Sequence, residues 1–267
     1  MSRRLLIALL AAGALFMIFP FVWTVVTSIT VGGDVLTTPR LIPERAGLDG
    51  YRKLFEFLPF WRIALNSLVL AVVSTALLLI TSSTAAYAFA RLEFPGKNVV
   101  FVGYLATLMI PMQVLVVPLF IEIRALDLVD TYASLIVPTI ASAFGVFLLR
   151  QSVAVLPREL DEAAFVDGAG HIRIFLRIIL PLIRPALATY GLFAFMSSWN
   201  AFLWPLVAIR SREFMTLPLG LSTLSGQYSN QWNAIMAGSV VSIVPMLVLY
   251  ALAQKHIVQS VANAGLK

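Results

Sequence analysis

The sequence predicts an all-α protein that crosses a lipid bilayer several times. Of its 267 residues, 60% are hydrophobic and only 12% are charged, and the mean hydropathy is +0.92. Soluble domains average about 25% charged residues, and disordered chains are poor in apolar residues. The apolar runs are continuous, as in residues 5–19, and do not alternate as the strands of a transmembrane β-barrel do. These observations favour lipid-embedded helices.

Six segments are long and apolar enough to cross a bilayer as helices, since a span needs about 20 mostly apolar residues. They comprise residues 5–29, 63–90, 99–121, 132–149, 186–208 and 233–253. We assign residues 1–267 to one transmembrane domain, whose core spans occupy about residues 63–253. We expect Pro111, Pro118 and Pro138 to kink the spans that contain them.

The first segment shares features with a cleavable signal peptide. Ser2-Arg3-Arg4 precedes it, and Ala12-Gly13-Ala14 has the small residues of a cleavage site. The apolar run, however, continues to Ile29, whereas a removable hydrophobic region is about 7–15 residues long. We therefore expect this segment to stay in the protein as the first membrane helix.

The distribution of charges predicts which side of the membrane each loop occupies. With six spans both termini lie on one side, and the segments on that side carry the whole net charge of +6. On the other side, which includes a long loop at residues 30–62, cations and acids balance. Because Lys and Arg are enriched in cytoplasmic loops, we expect both termini in the cytoplasm and residues 30–62 outside it.

The composition also excludes several function classes. The chain has no cysteine and two histidines, which leaves no thiolate ligand and little for a metal site. Its cations are scattered between apolar runs, unlike a nucleic-acid interface. A membrane-embedded enzyme is disfavoured because no catalytic constellation falls inside a span. An ion-coupled secondary transporter stays as the main alternative, although such proteins have acids near the bilayer midplane and no convincing one occurs here.

The segment of residues 150–184 on the predicted cytoplasmic side is longer than an ordinary helix connection and has its own helix signals. Pro157 suits a first helical position, and Gly168 is placed to end the helix with a positive φ. Three acidic residues in the first turns complement the helix dipole: Glu159, Asp161 and Glu162. A second helical piece follows over residues 171–180. Pro181 and Pro185 then break or kink the chain.

The first of these two helices has the features of a docking element. Ala163 and Ala164 permit close approach of another body, with Glu162 and Asp167 supplying charge at either end. A helix of this kind docks in a groove of a soluble partner. The alternative is a helix that rests on the lipid surface, but such helices carry Lys and Arg on their polar face, and this one is acidic.

A resemblance to a known family rests on this segment. The "EAA" cytoplasmic loop of permease subunits of binding-protein-dependent ABC importers is similar to the run Glu162-Ala163-Ala164-Phe165-Val166-Asp167-Gly168-Ala169. The downstream Leu180-Pro181-Leu182 fits the same pattern. Other stretches resemble the carbohydrate-uptake branch, in particular its shorter, maltose-type subunit: Asn66-Ser67-Leu68, Met109-Ile110-Pro111-Met112-Gln113, Trp199-Asn200 and Trp204-Pro205-Leu206.

The resemblance implies a sugar permease of the prokaryotic cytoplasmic (inner) membrane that is not itself an enzyme. Its implied partners are a second homologous permease subunit, a dimer of ATPase subunits and an extracytoplasmic solute-binding protein. ATP and Mg²⁺ would bind to the ATPase, and no cofactor or metal to this chain. The implied ATPase-coupling residues lie on the coupling helix or at its end: Glu162, Ala163, Ala164, Asp167, Gly168 and Ala169.

Four residues are candidates for the substrate pathway. Sugars are held by amides and by flat apolar faces, and polar side chains inside spans face the protein interior or a water-filled path. The residues that meet these criteria are Asn66, Gln113, Trp199 and Asn200. The alternative for each is hydrogen bonding or packing between helices.

Overall fold

The computed structural model describes residues 3–31, 41–43, 45–227 and 231–264, and these residues are mostly helical. Within them, β structure is limited to an isolated bridge between Thr30 and Ala46. The prediction of an all-α protein is confirmed. Part of the predicted external loop, residues 32–40 and Glu44, lies outside the described residues.

The helices are numbered in chain order. They are α1 (Arg3–Ser28), α2 (Asp49–Phe57), α3 (Phe60–Arg91), α4 (Lys97–Ala106), α5 (Met112–Ala125), α6 (Tyr132–Ile136), α7 (Ala143–Ala154), α8 (Glu159–Val166), α9 (His171–Ile174), α10 (Leu180–Leu182), α11 (Arg184–Trp199), α12 (Leu203–Ala208), α13 (Leu217–Gln227) and α14 (Trp232–Ala264). Two 3₁₀ turns, Thr107–Met109 and Val137–Thr139, extend α4 and α6, and a π-helical turn, Phe175–Ile179, joins α9 to α10.

Three of these helices are long and apolar enough to cross a membrane unaided: Arg3–Ser28, Phe60–Arg91 and Trp232–Ala251. Three further pairs meet the same criterion only together, because each is bent: Lys97–Met109 with Met112–Ala125 by 103°, Tyr132–Thr139 with Ala143–Ala154 by 46°, and His171–Leu182 with Arg184–Trp199 by 80°. The described residues thus offer three spans, or up to six if each bent pair is one span.

Three of the predicted spans differ from single helices. The fourth, residues 132–149, bends by 46° between the 3₁₀ turn that contains Pro138 and α7. The third bends at Ile110 and Pro111, which both take extended conformations. A proline drives the residue before it, here Ile110, out of the helical region. Pro118, in contrast, lies inside the continuous helix α5. The predicted fifth span, residues 186–208, is interrupted after Trp199. Its remainder forms α12, where Pro205 sits in the first turn and its missing N–H costs no helical hydrogen bond.

The chain divides into two compact units, Met1–Ala64 with Thr216–Leu247, and Leu65–Met215 with Val248–Lys267. In the first, the hydroxyls of Ser28 and Tyr51 lie 3.1 Å apart, and Lys53 Nζ donates to Gln231 Oε1 at 2.7 Å. These contacts attach the short helix α2 to α1 and to the start of α14. The assignment of residues 1–267 to one transmembrane domain stays a prediction.

In the second unit, Asp130 joins two connections between helices. Its Oδ1 accepts from the backbone N–H groups of Arg210 and Ser211, both at 3.0 Å, and from the Ser211 hydroxyl at 3.1 Å. Burial raises the pKa of Asp130, but the hydrogen bonds from Ser211 and Arg210 and the charge of Arg210 lower it more. The pKa therefore lies below its ordinary value.

Close packing of helices in the second unit depends on a small residue. A methyl group on Gly145 of α7 would collide with the ring of Tyr190 on α11 and with the Ser82 hydroxyl on α3. The Ser82 and Tyr190 hydroxyls are themselves 3.2 Å apart. Glycine at this position lets the three helices approach one another, as small residues do between membrane helices.

Candidate functional site

Helix α8 begins at Glu159 and has three acids in its first turn. Pro157 lies two residues before this start, so the expectation that it takes the first helical position is not met. The backbone N–H groups of Asp161 and Glu162 both donate to the Arg158 carbonyl, at 2.9 and 3.1 Å. The acids thus lie where the N-terminal end of the helix dipole stabilises negative charge.

The end of α8 is set by Gly168, as the sequence predicts. Its φ is +75°, in the left-handed region that glycine adopts readily. The Gly168 N–H donates to the Phe165 carbonyl at 3.0 Å, and the Ala169 N–H donates to the Ala164 carbonyl at 2.9 Å. This pair of hydrogen bonds is the Schellman motif, and it turns the chain from α8 into α9.

The chain from α8 through α10, residues 159–182, is called the hairpin below. Its second arm is helical throughout, and Ile174 and Ile179 on that arm are fully buried. They share an apolar cluster with residues from the ends of α3 and α7: Tyr87, Ala90 and Val153. The Tyr87 hydroxyl also lies 3.2 Å from His171 Nδ1. The hairpin is therefore packed firmly against the helices that precede it.

The two faces of α8 differ in exposure. Ala164 is 8% exposed and belongs to the apolar cluster, and Ala169 is half-buried beside it. Five residues of α8 and its end form the outer face: Glu162, Ala163, Phe165, Val166 and Asp167. Val166 is 89% exposed. Of the two alanines expected on a docking face, the structure places Ala163 outside and Ala164 against this chain's own helices.

The structure also shows an ion pair that the sequence reasoning missed. Asp161 Oδ2 lies 2.7 Å from Arg91 Nε, and the two side chains are 11% and 6% exposed. Arg91 is the last residue of α3, and its Nη2 donates to the Leu156 carbonyl at 2.8 Å. Neither Arg91 Nε nor Asp161 Oδ1 makes a hydrogen bond, so the contact acts as an ion pair. It joins the inner face of α8 to the end of a membrane helix.

One signal in the sequence could have indicated this pair. Asp161 precedes Ala164 by three residues, so both lie on the same face of α8. If Ala164 faces inward, Asp161 does too, and a buried carboxylate requires a cation. The acidic first turn by itself predicts only that Asp161 complements the helix dipole.

Of the four pathway candidates, Asn66 and Trp199 are buried, and Gln113 and Asn200 are exposed. Asn66 is 3% exposed, and its amide is fully engaged. Its Nδ2 donates to the carbonyls of Glu213 and Met215 at 2.8 and 2.9 Å, and its Oδ1 accepts from the Tyr132 hydroxyl at 2.7 Å. These bonds favour the alternative of helix packing for Asn66.

The other three candidates differ among themselves. Trp199 is buried and stacks on Phe195, with ring centroids 5.9 Å apart. Gln113, near the start of α5, and Asn200, which follows α11, are exposed. The Asn200 amide donates to the Met196 carbonyl at 2.9 Å and caps the end of α11. The part of the chain that the structure describes has no group of three or more His, Cys, Asp or Glu side chains able to hold a metal ion.

Comparison with known proteins gives a consistent result. Residues 79–263 match the family described as the binding-protein-dependent transport system inner membrane component. The arabinooligosaccharides transport system permease protein AraQ of Halalkalibacterium halodurans is 39% identical over 226 residues, covering 84% of this chain and 81% of that protein. The lactose transport system permease protein LacG of Rhizobium radiobacter is 34% identical over 262 residues, covering 96% and 94%.

A solved structure is similar as well. It belongs to a bacterial ABC transporter involved in the import of the acidic polysaccharide alginate. The match has a TM-score of 0.83 and 25% sequence identity, and it covers 96% of this chain and 98% of the other. The hairpin lies inside the region that the family match covers.

Proposed function

This chain belongs to the family of binding-protein-dependent transport system inner membrane components, and from this membership we propose that it is the permease subunit of an ABC importer that moves a carbohydrate into the cytoplasm. The observation that carries the proposal is the similarity of nearly the whole chain to permease proteins named for sugar transport. The named sugars of these two relatives differ. Carbohydrate is therefore the class that we carry over to this chain.

We expect three protein partners: a second homologous permease subunit, a dimer of ATPase subunits and an extracytoplasmic solute-binding protein. The description of the family as binding-protein-dependent supports the last of these. The sequence contains no G-x-x-x-x-G-K-[ST] phosphate-binding loop, which supports placing ATP and Mg²⁺ on the ATPase. The exposed side chains along residues 3–22 of α1 support contact with lipid or with the second permease subunit.

The outer face of α8 is the surface that we expect to dock on the ATPase. Phe165 and Val166 would bury apolar area there, with Glu162 and Asp167 at the edges. Ala163, between them, permits close approach of the partner. The inner face is held by the Arg91–Asp161 ion pair and the apolar cluster. In this proposal, ATP-driven movement of the ATPase displaces the hairpin as a rigid body, and the displacement passes to α3.

The orientation is tested directly, because the chain contains no cysteine. A Val166→Cys variant carries one reactive and highly exposed thiol. We expect a membrane-impermeant maleimide to label it in inside-out vesicles of cells that lack the ATPase but not in intact cells of the same strain. Labelling in intact cells would place the hairpin outside the cytoplasm and overturn the proposal.

The docking surface is tested with two neighbouring residues of α8, one exposed and one buried. We expect Ala163→Cys to cross-link to a cysteine in the groove of the ATPase, and Ala164→Cys, which faces this chain's own helices, to cross-link poorly. Equal cross-linking of both variants would contradict the assignment of the outer face.

Function is tested in proteoliposomes that contain this chain with its permease, ATPase and binding-protein partners. We expect uptake of radiolabelled oligosaccharide to require ATP on the side of the membrane where the ATPase lies. Uptake should stop when the ATPase is omitted. Uptake that persists without the ATPase and follows a proton or sodium gradient would instead support the ion-coupled alternative.

A further inference from the structure

A cation-rich cavity lies beside the hairpin, where α3 ends and α4 begins. Its volume is about 570 Å³. Four cationic side chains line it, Arg91, Lys97, Arg150 and Arg158, together with one acidic side chain, Glu93. The mechanism proposed above uses only Arg91 among these cations.

The charges in this cavity do not balance. Asp161 neutralises Arg91 from outside the cavity. Glu93 Oε1 is shared, lying 3.3 Å from Lys97 Nζ and 3.8 Å from Arg158 Nη2. One carboxylate therefore serves two cations, and Arg150 adds a further positive charge.

Arg150 has no acidic partner among the described residues. Its Nε donates to the Phe89 carbonyl at 3.3 Å, and its guanidinium carbon lies 4.2 Å from the centroid of the Phe101 ring. These contacts fix the side chain in place and leave its charge uncompensated. Lys97 is held in a similar way, since its Nζ also donates to the Leu92 carbonyl at 2.7 Å. The cavity thus presents preplaced cations to an anion.

The surroundings of the cavity indicate what kind of anion fits. Val99 lines the cavity and is 78% exposed. Together with the exposed side chains of Val100 and Val102 it forms an apolar surface that extends from the cavity along α4. The opening lies at the junction between the end of a membrane helix and the start of the next apolar helix. A ligand that is anionic at one end and apolar along its length matches this arrangement better than a small free anion.

We propose that this cavity binds the phosphate group of an anionic phospholipid, whose acyl chains lie along the exposed apolar side chains of α4. Basic pockets between membrane helices on the cytoplasmic side bind the head groups of anionic lipids. The inference rests on the proposed function only for the side of the membrane, because the cytoplasmic position of the cavity follows from the orientation assigned to the hairpin.

The test uses the assembled transporter in bilayers that contain photoactivatable phosphatidylglycerol or photoactivatable phosphatidylcholine. We expect cross-linking of phosphatidylglycerol to peptides that include residues 97–106, and little cross-linking of phosphatidylcholine. Arg150→Gln and Lys97→Gln should each lower the yield about fivefold, as expected when one cation near the membrane surface is removed. Arg173→Gln, which removes an exposed cation of α9 that does not line the cavity, should leave the yield unchanged.

Further variants and competitors separate the possible outcomes. Arg150→Lys keeps the charge and should restore most of the labelling if the phosphate contact is what matters. Equal yields from both lipids, or an unchanged yield in Arg150→Gln, would overturn the inference. So would full competition by inorganic phosphate, which would identify a site for a free anion. Labelling that occurs only when the ATPase is omitted from the complex would also overturn the inference and assign the cavity to a protein contact.

This test also distinguishes the lipid site from the proposed function. Loss of selective labelling in a transporter that still shows ATP-dependent uptake would overturn the lipid site alone. Selective labelling in a chain whose uptake does not depend on ATP would overturn the proposed function and leave the lipid site standing.

Discussion

The ion pair between Arg91 and Asp161 is the contact on which attachment of the hairpin to α3 can be tested most sharply. Asp161→Asn keeps the shape of the side chain and removes its charge. The change leaves the Arg91 guanidinium, which is 6% exposed, without its carboxylate. The hydrogen bond from Arg91 to the Leu156 carbonyl remains, so the loss is confined to the charge interaction with α8.

The expected cost follows from the burial of both partners. Removing one member of a buried ion pair costs about 3–5 kcal/mol, because the remaining charge is desolvated without compensation. Arg91 ends a membrane helix, where a long side chain can shift toward water. We therefore expect the lower end of the range, about 3 kcal/mol. The apolar cluster still holds the second arm of the hairpin, so α8 should loosen while the membrane helices stay folded.

Hydrogen exchange and coupled transport provide the measurement. We expect the amides of residues 159–169 to exchange about 100-fold faster in Asp161→Asn, corresponding to that free energy. In proteoliposomes, ATP hydrolysis should persist while sugar uptake falls. The matched control is Glu159→Gln, which removes an exposed carboxylate from the same helical turn and should cost only its interaction with the helix dipole, about 0.3–1 kcal/mol. If the two variants exchange and transport alike, the ion pair does not hold the hairpin.

Three further outcomes follow from the structure. Gly168→Ala should lower the free energy of unfolding by about 1–2 kcal/mol, because its φ is positive, and it should lower coupled uptake. Its control is Gly170→Ala, where an added methyl group also meets no neighbour within 4 Å but φ is negative, and neither quantity should change. Gly145→Ala should lower the free energy of unfolding by about 1–3 kcal/mol through overpacking, and with it the thermal unfolding temperature. Its control is Gly103→Ala, whose added methyl group meets no neighbour within 4 Å and should not lower that temperature. The lowered pKa of Asp130 stabilises the fold above pH 3.8, and this stabilisation disappears as pH falls through the pKa in the folded protein. Asp130→Asn should abolish that acid dependence of the unfolding temperature.

The sequence predicted the features that are determined by residues close together in the chain, namely the presence of helices and some of their ends. Apolar length identified the membrane helices, and the glycine after α8 identified where that helix ends. Proline marked the position of the bend at Pro111 but not its angle of 103°. The angle depends on what packs against the two halves, which the sequence pattern does not contain. The interruption after Trp199 was missed because three isolated polar residues, Ser197, Ser198 and Asn200, lie within a longer apolar run and are also compatible with a continuous membrane helix.

The candidate site shows the same division. The hairpin was predicted as a unit, because its acids, small residues and terminal glycine are contiguous in sequence. Which residues of the hairpin face inward could not be predicted, since alanine is equally acceptable on an inner and an outer face. Asp161 and Arg91 are far apart in sequence, and only the packing of α8 against the end of α3 brings them together. The sequence can therefore indicate that a buried Asp161 needs a cation, but it does not identify Arg91 as that cation.

The apolar cluster attaches the hairpin to two membrane helices, and this bears on the proposed mechanism. Toward α3 the hairpin is joined by the ion pair and by the apolar cluster. Toward α11 the chain bends by 80° between Leu182 and Arg184, but Ile183 at the bend is 3% exposed and belongs to the same cluster, against which Leu187 of α11 packs. A buried contact over several side chains transmits displacement. A partner that moves α8 should therefore move the end of α3 and the start of α11 with it. Spin labels on α8, at the end of α3 and at the start of α11 should keep their separations during the ATPase cycle, and a change in either distance would show that the cluster does not transmit the movement.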